Sequence, residues 1–229
     1  SGFSSLTIQV SNSQAIRSLT SDAALTLTGG IFSFATVSTI VNLTIAGGTL
    51  SGTGHVAVTG TFNWTAGSLR GAGKLTIAAG ATGSITGATS KYLGGTLENA
   101  GTLSYDGSNL KFGTNTSSSS TDSGTFNNLA GATFTIVDTS DLSGFYSTDS
   151  YTLNNAGTVV HSGTGTTDID IAFNNSGTVA VQAGLLRLYS GGTSTGRFRV
   201  VASSWLQLDS TYVAAGAEIS GAGTLTLNG

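Results

Sequence analysis

Apolar residues alternate with polar ones in short runs along this chain, and the runs recur at a near-constant spacing of about 20 residues. Leu6-Thr7-Ile8, Leu25-Thr26-Leu27, Leu43-Thr44-Ile45 and Phe62-Asn63-Trp64 are the first four. A period of two places two apolar side chains on one face and one polar side chain on the other, so each run reads as a short strand. The match between 43–61 and 62–80 covers a whole unit. Leu43 answers Phe62, Ile45 answers Trp64, Leu50 answers Leu69, Val56 answers Leu75, and Val58 answers Ile77. Gly52 and Gly54 answer Gly71 and Gly73. Further on, LNNAGTV (153–159) is followed one period later by FNNSGTV (173–179), with LENAGTL (97–103) and FNNLAGATF (126–134) as looser copies. A fixed period of this size marks a stacked-repeat protein.

Several strand-sized segments per repeat, joined by glycine-rich corners, describe a coil and not a hairpin. One coil alone exposes an apolar row and unpaired backbone groups on both sides. Stacking satisfies both, at about 4.8 Å per coil. The sequence therefore predicts an all-β, right-handed parallel β-helix (a β-solenoid) of roughly 11 coils of about 20 residues, a rod on the order of 50 Å long. Neither a helix nor a linker is predicted, so residues 1–229 form a single solenoid domain, expected to be a segment of a longer protein. Asn99, Asn128, Asn155 and Asn175 fall in one slot and should stack as a structural amide ladder at a corner. Two coils are enlarged, the one from Leu97 to Phe126 and the one from Phe126 to Leu153. Protruding loops are expected at about 103–152, with the surplus in 111–125 and 138–151.

Composition alters this picture at three points. Only 8% of residues are charged, against a norm of roughly 25%, which alone would suggest a disordered polar tract. The regular apolar spacing decides for order. A net charge of −3 supplies no basic field for nucleic acid or an anionic membrane. With no Cys there is neither a disulfide nor a thiolate metal site, and no apolar run approaches the ~20 residues of a membrane span. The start, SGFSSLTIQV, lacks the basic and apolar regions of a secretory signal, as a mature fragment would. The absence of Cys and Met suits oxidising surroundings outside the cell.

Candidate chemistry is sparse. The segment 138–151 concentrates Asp138, Asp141, Asp149, Phe145, Tyr146 and Tyr151, carboxylates beside aromatic faces. Such a set suits sugar rings, and its aspartates could bind Ca²⁺ weakly; no cofactor and no metal site are otherwise expected. Asp168 and Asp170 alternate with Ile169 and Ile171 on one strand, and Arg187 and Tyr189 follow one coil later. This is either a surface ion pair or the groove of a sugar-cleaving enzyme. His55 and His161 have no second ligand at metal-binding spacing. Thr7, Thr26 and Thr44 line one outward column, the beginnings of an ice-binding face, which Asn63 interrupts. The strand TLTLNG (224–229) offers a parallel edge that invites end-to-end self-association.

LSGTGHVAVTG (50–60), LRGAGKLTIAAG (69–80) and ISGAGTLTLNG (219–229) resemble the repeats of bacterial autotransporter passengers. More broadly the chain resembles the right-handed parallel β-helices of surface exoproteins and haemagglutinin-like adhesins. That resemblance implies export and display at a bacterial cell surface or in an extracellular matrix; glycans or other cell-surface molecules are the expected partners. It supplies no catalytic residue. The expected function is a non-catalytic structural and adhesive module, with a carbohydrate-active β-helix enzyme (polysaccharide lyase or glycosidase) and an ice-binding solenoid as alternatives.

Overall fold

The computed structural model describes residues 7–113, 123–137, 139–145, 150–209 and 212–228. Every strand pairing among these residues is parallel, and none of them is helical. The chain winds as a β-solenoid of about 10 turns, close to the 11 that length over period gives. The difference arises in the enlarged coils between Leu97 and Leu153, which consume more chain per turn.

Three ladders run the length of the rod. Sheet I extends from Thr7–Val10 through Ala24–Leu27 to Glu218–Gly221. Sheet II extends from Gln14–Ile16 through Ile31–Phe34 to Thr224–Asn228. Sheet III begins at Thr20–Ser21 and passes through Lys74–Ile77, Thr96–Asn99, Thr125–Asn128, Thr152–Asn155 and Ala172–Asn175. The two long strands Ser38–Gly52 and Val56–Leu69 each cross all three sheets, shifting register at the corners. Gly52, the last residue of the first of these strands, has φ +115°, and a Cβ there would collide with Phe34 O one coil below. Only glycine combines that φ with so close an approach.

The repeat matches read in sequence are register partners in space: Leu43 with Phe62, Ile45 with Trp64, Leu50 with Leu69, Val56 with Leu75, and Val58 with Ile77. All ten are buried and belong to one continuous core. Leu153 and Phe173, one coil apart, are both 0% exposed. Among the polar residues of the core are a lysine and a histidine. Lys91 occupies an inward slot beside Leu93, and His161 lies between Ile136 and Val181 in an inward column. In the last coil the inward phase continues, yet Ile219, Leu225 and Leu227 are exposed at 39%, 38% and 70%.

The segment 138–151 is not one excursion. Leu142–Gly144 is a rung of sheet II, paired with Leu110–Phe112 on one side and Thr166–Asp170 on the other. In chain order the extra residues of both coils fall between a strand of sheet II and the next strand of sheet III, after Gly113 in one coil and after Phe145 in the next.

Candidate functional site: a polar groove on sheet II

On sheet II the outward positions of successive coils form two rows. One carries Asp168, Arg187 and Gln207, in register. Asp141 precedes Leu142, the partner of Ile169, and so extends this row one coil before Asp168. The second row carries Tyr92, Lys111, Ser143 and Asp170, with Tyr189 one coil farther, after the Ile169–Leu188 pair. Between them lies a groove of about 370 Å³ lined by Asn109, Lys111, Asp141, Ser143, Asp168, Asp170 and Tyr189.

Its geometry is fixed from below. Tyr105 and the backbone of Leu110 both donate to Asp141 O, at 3.0 and 3.2 Å, and Asp141 N donates to Asn109 Oδ1 at 3.3 Å. The Asp141 carboxylate then accepts the backbone N–H of Asp168 at 2.9 Å. Arg187 grips Asp168 through both oxygens, Nε to Oδ1 at 2.6 Å and Nη2 to Oδ2 at 2.7 Å. This hydrogen-bonded pairing pushes the Arg187 guanidinium above its ordinary value. The guanidinium also lies 4.9 Å from the Tyr189 ring centroid, a cation–π contact. Lys111 Nζ donates to Ser143 Oγ at 2.8 Å, and Ser190 Oγ donates to Asp170 Oδ1. The groove therefore mixes carboxylate acceptors, an ammonium donor and an aromatic ring at the spacing of the coils.

The residues singled out in 138–151 part company. Asp141 lines the groove. Phe145 packs edge-on against Tyr92, with centroids 5.7 Å apart, on the same sheet. Tyr151 turns inward and is 6% exposed, part of the core and away from the groove. The reason is parity, because Tyr151 shares the phase of inward Leu153 and Asn155. Asp138, Tyr146 and Asp149 lie outside the described residues. Asp168, Asp170, Arg187 and Tyr189, read separately in sequence, join Asp141 in one site. Among the described residues no three acids or histidines are arranged to hold a metal ion.

Other candidates have structural surroundings. Asn99, Asn128, Asn155 and Asn175 stack inside the corner of sheet III, each Nδ2 donating to the next Oδ1 at 2.9, 2.8 and 2.8 Å. Each of the first three also donates to a threonine carbonyl of sheet I, which fixes the amide orientation. His55 Nε2 meets Thr76 Oγ1 at 2.8 Å, and Thr76 donates to Glu98 Oε2 at 3.0 Å. The threonine proton thus points at the carboxylate, so the histidine cannot act as its base. The outward threonine column differs from the one read in sequence. Thr7 pairs with Ala24 and Gln9 with Thr26, because the first coil is shorter than the run spacing. A longer column, Thr61, Thr82, Thr102, Thr133, Thr158 and Thr178, runs elsewhere on sheet I.

No helix among the described residues is long and apolar enough to cross a membrane. No family model, curated protein or solved structure matches the chain.

Proposed function

We propose that this chain is a non-catalytic structural and adhesive module of an exported bacterial surface or matrix protein, and that it holds glycans in the sheet II groove. One observation carries the reading: a continuous ladder brings Asp141, Asp170, Lys111 and the Tyr189 ring to one outward face. Carboxylates and an ammonium match sugar hydroxyls, and an aromatic face takes the C–H side of a pyranose. A site built on strands is held in place by the stack beneath it, as display demands. The Cys-free, Met-free composition and the repeat resemblance support an extracellular or cell-surface location.

A glycan array with the parent and with Tyr189→Ala tests this. Retention of a glycan by the parent, weakened roughly fivefold to tenfold by the variant, is expected from loss of one aromatic contact of about 1 kcal/mol. A parent that binds no glycan, or a variant that binds as well, refutes the assignment.

A carbohydrate-active enzyme is the second reading. Asp141 and Asp168 are outward neighbours one coil apart, as the two carboxylates of a retaining glycosidase must be close neighbours. Against it, both oxygens of Asp168 are engaged by Arg187. New reducing or unsaturated ends from a polysaccharide panel, lost in Asp141→Asn, would establish turnover.

A further inference from the structure

Sheet III carries a second, differently built groove. Outside the inner asparagine ladder, the preceding residue of each repeat points outward, giving Asn127, Asn154 and Asn174 in register. Asn154 Nδ2 donates to Asn127 Oδ1 at 2.9 Å, and Asn174 Nδ2 donates to Asn154 Oδ1 at 2.9 Å. Thr193 closes the row by donating its N–H to Asn174 Oδ1 at 3.2 Å. Across a concavity of about 300 Å³, Leu129, Ala156, Ser176 and Thr195 form the opposite wall.

The valences of this row are only partly used. A primary amide has two N–H donors and two acceptor lone pairs. The ladder takes one N–H from Asn154 and one from Asn174, and the Asn127 Nδ2 has no partner among the described residues. A line of uncommitted amide donors therefore repeats once per coil from Asn127 to Asn174, over about 10 Å of rod. Among the described residues, no charged side chain lines the concavity. The backbone groups of this face are consumed by the parallel ladders, so a peptide cannot add here as a strand. An anion would find no cation. What fits is a neutral chain rich in hydroxyls, each both donor and acceptor, with its C–H face against Leu129 and Ala156.

We infer that this groove binds an unbranched neutral polysaccharide lying parallel to the rod axis. The inference extends the glycan-binding reading to a second, uncharged site that stands or falls independently of the sheet II groove.

Affinity gel electrophoresis in linear β-glucan, glucomannan and dextran tests it, with polygalacturonate as the acidic comparison. At least one neutral polymer should retard the parent equally in low and high salt, since no ion pair contributes. Ala156→Trp and Ser176→Trp, both at exposed positions, fill the groove while leaving every asparagine of both ladders in the sequence. Each should weaken that retardation roughly tenfold, and by the same factor when introduced into a Tyr189→Ala background. Circular dichroism confirms that both tryptophan variants keep the parent's fold. The inference is overturned if no neutral polymer retards the parent, or if retardation survives both tryptophan variants. Loss with Tyr189→Ala alone would overturn it as well and leave the sheet II groove as the sole glycan site.

Discussion

His161 sits where its column otherwise places Ile136 and Val181, with no exposed surface. Its Nδ1 donates to Ala183 O at 2.9 Å, which leaves Nε2 an unprotonated acceptor with no partner among the described residues. Burial holds its pKa below the ordinary 6.5. Above that value both folded and unfolded chains carry a neutral imidazole, so nothing is at stake. Below it the unfolded chain takes up a proton that the folded chain refuses, and stability falls. Melting temperature should therefore drop as pH passes below about 6.5, and His161→Val should blunt the drop. His55 shifts the same way, by burial first and Lys74 second, so His55→Gln belongs in the same series. Lys91 is likewise buried, its Nζ donating to Gly87 O at 2.7 Å. Burial lowers its pKa, which marks an ammonium held at a cost. Gly87 O also accepts Ser108 N, so Lys91→Met leaves no orphaned carbonyl. That substitution should raise stability by about 1 kcal/mol in urea unfolding. Phe173→Ala, by contrast, should lower it by about 3–5 kcal/mol through lost burial and a cavity.

Among the elements, the asparagine strands of sheet III separate structure from surface within two adjacent residues. Asn155 is buried, accepts from Asn128 and donates to Asn175 and to Thr178 O. Asn155→Ala strands several buried groups and should cost about 3 kcal/mol. Asn154→Ala removes only half-exposed bonds and should cost under about 1 kcal/mol; comparable urea midpoints for the two would contradict the assignment of inside and outside. The repeated Asn-Asn pair, with period-two alternation, made the inner ladder legible in sequence; the same parity, carried back from Leu153, puts Tyr151 inside, although in sequence it groups with the candidate sugar contacts. The sheet II groove was not legible in this way. Lys111 and Ser143 are register partners, as are Ser143 and Asp170, yet each pair is separated by more chain than a regular coil holds. Insertions at the corner broke the period that sequence reading relied on, although the strands kept their ladder. Lys91 gave no signal, because a lysine in a strand ordinarily reads as outward.

At the scale of the whole molecule, stability is a sum of coil-to-coil interfaces and not the property of one centre. The last coil presents Ile219, Leu225 and Leu227, in phase with buried Phe198, Leu206 and Leu208, to solvent. The 229-residue chain should therefore associate with rising concentration in sedimentation runs, and Leu227→Lys should shift it toward monomer. A variant that sediments as the parent does would place any contact elsewhere.

The two amide columns of sheet III run opposite ways. Inside, every Nδ2 points toward the C-terminal end; outside, Asn154 and Asn174 point theirs toward the N-terminal end. Aligned amides summed in one direction would collect partial charge at the two ends, as they do in a helix. Here one column returns what the other carries, like paired conductors with opposed currents. Over the coils from Asn127 to Asn174, where both columns are present, the stack therefore builds little voltage along its axis.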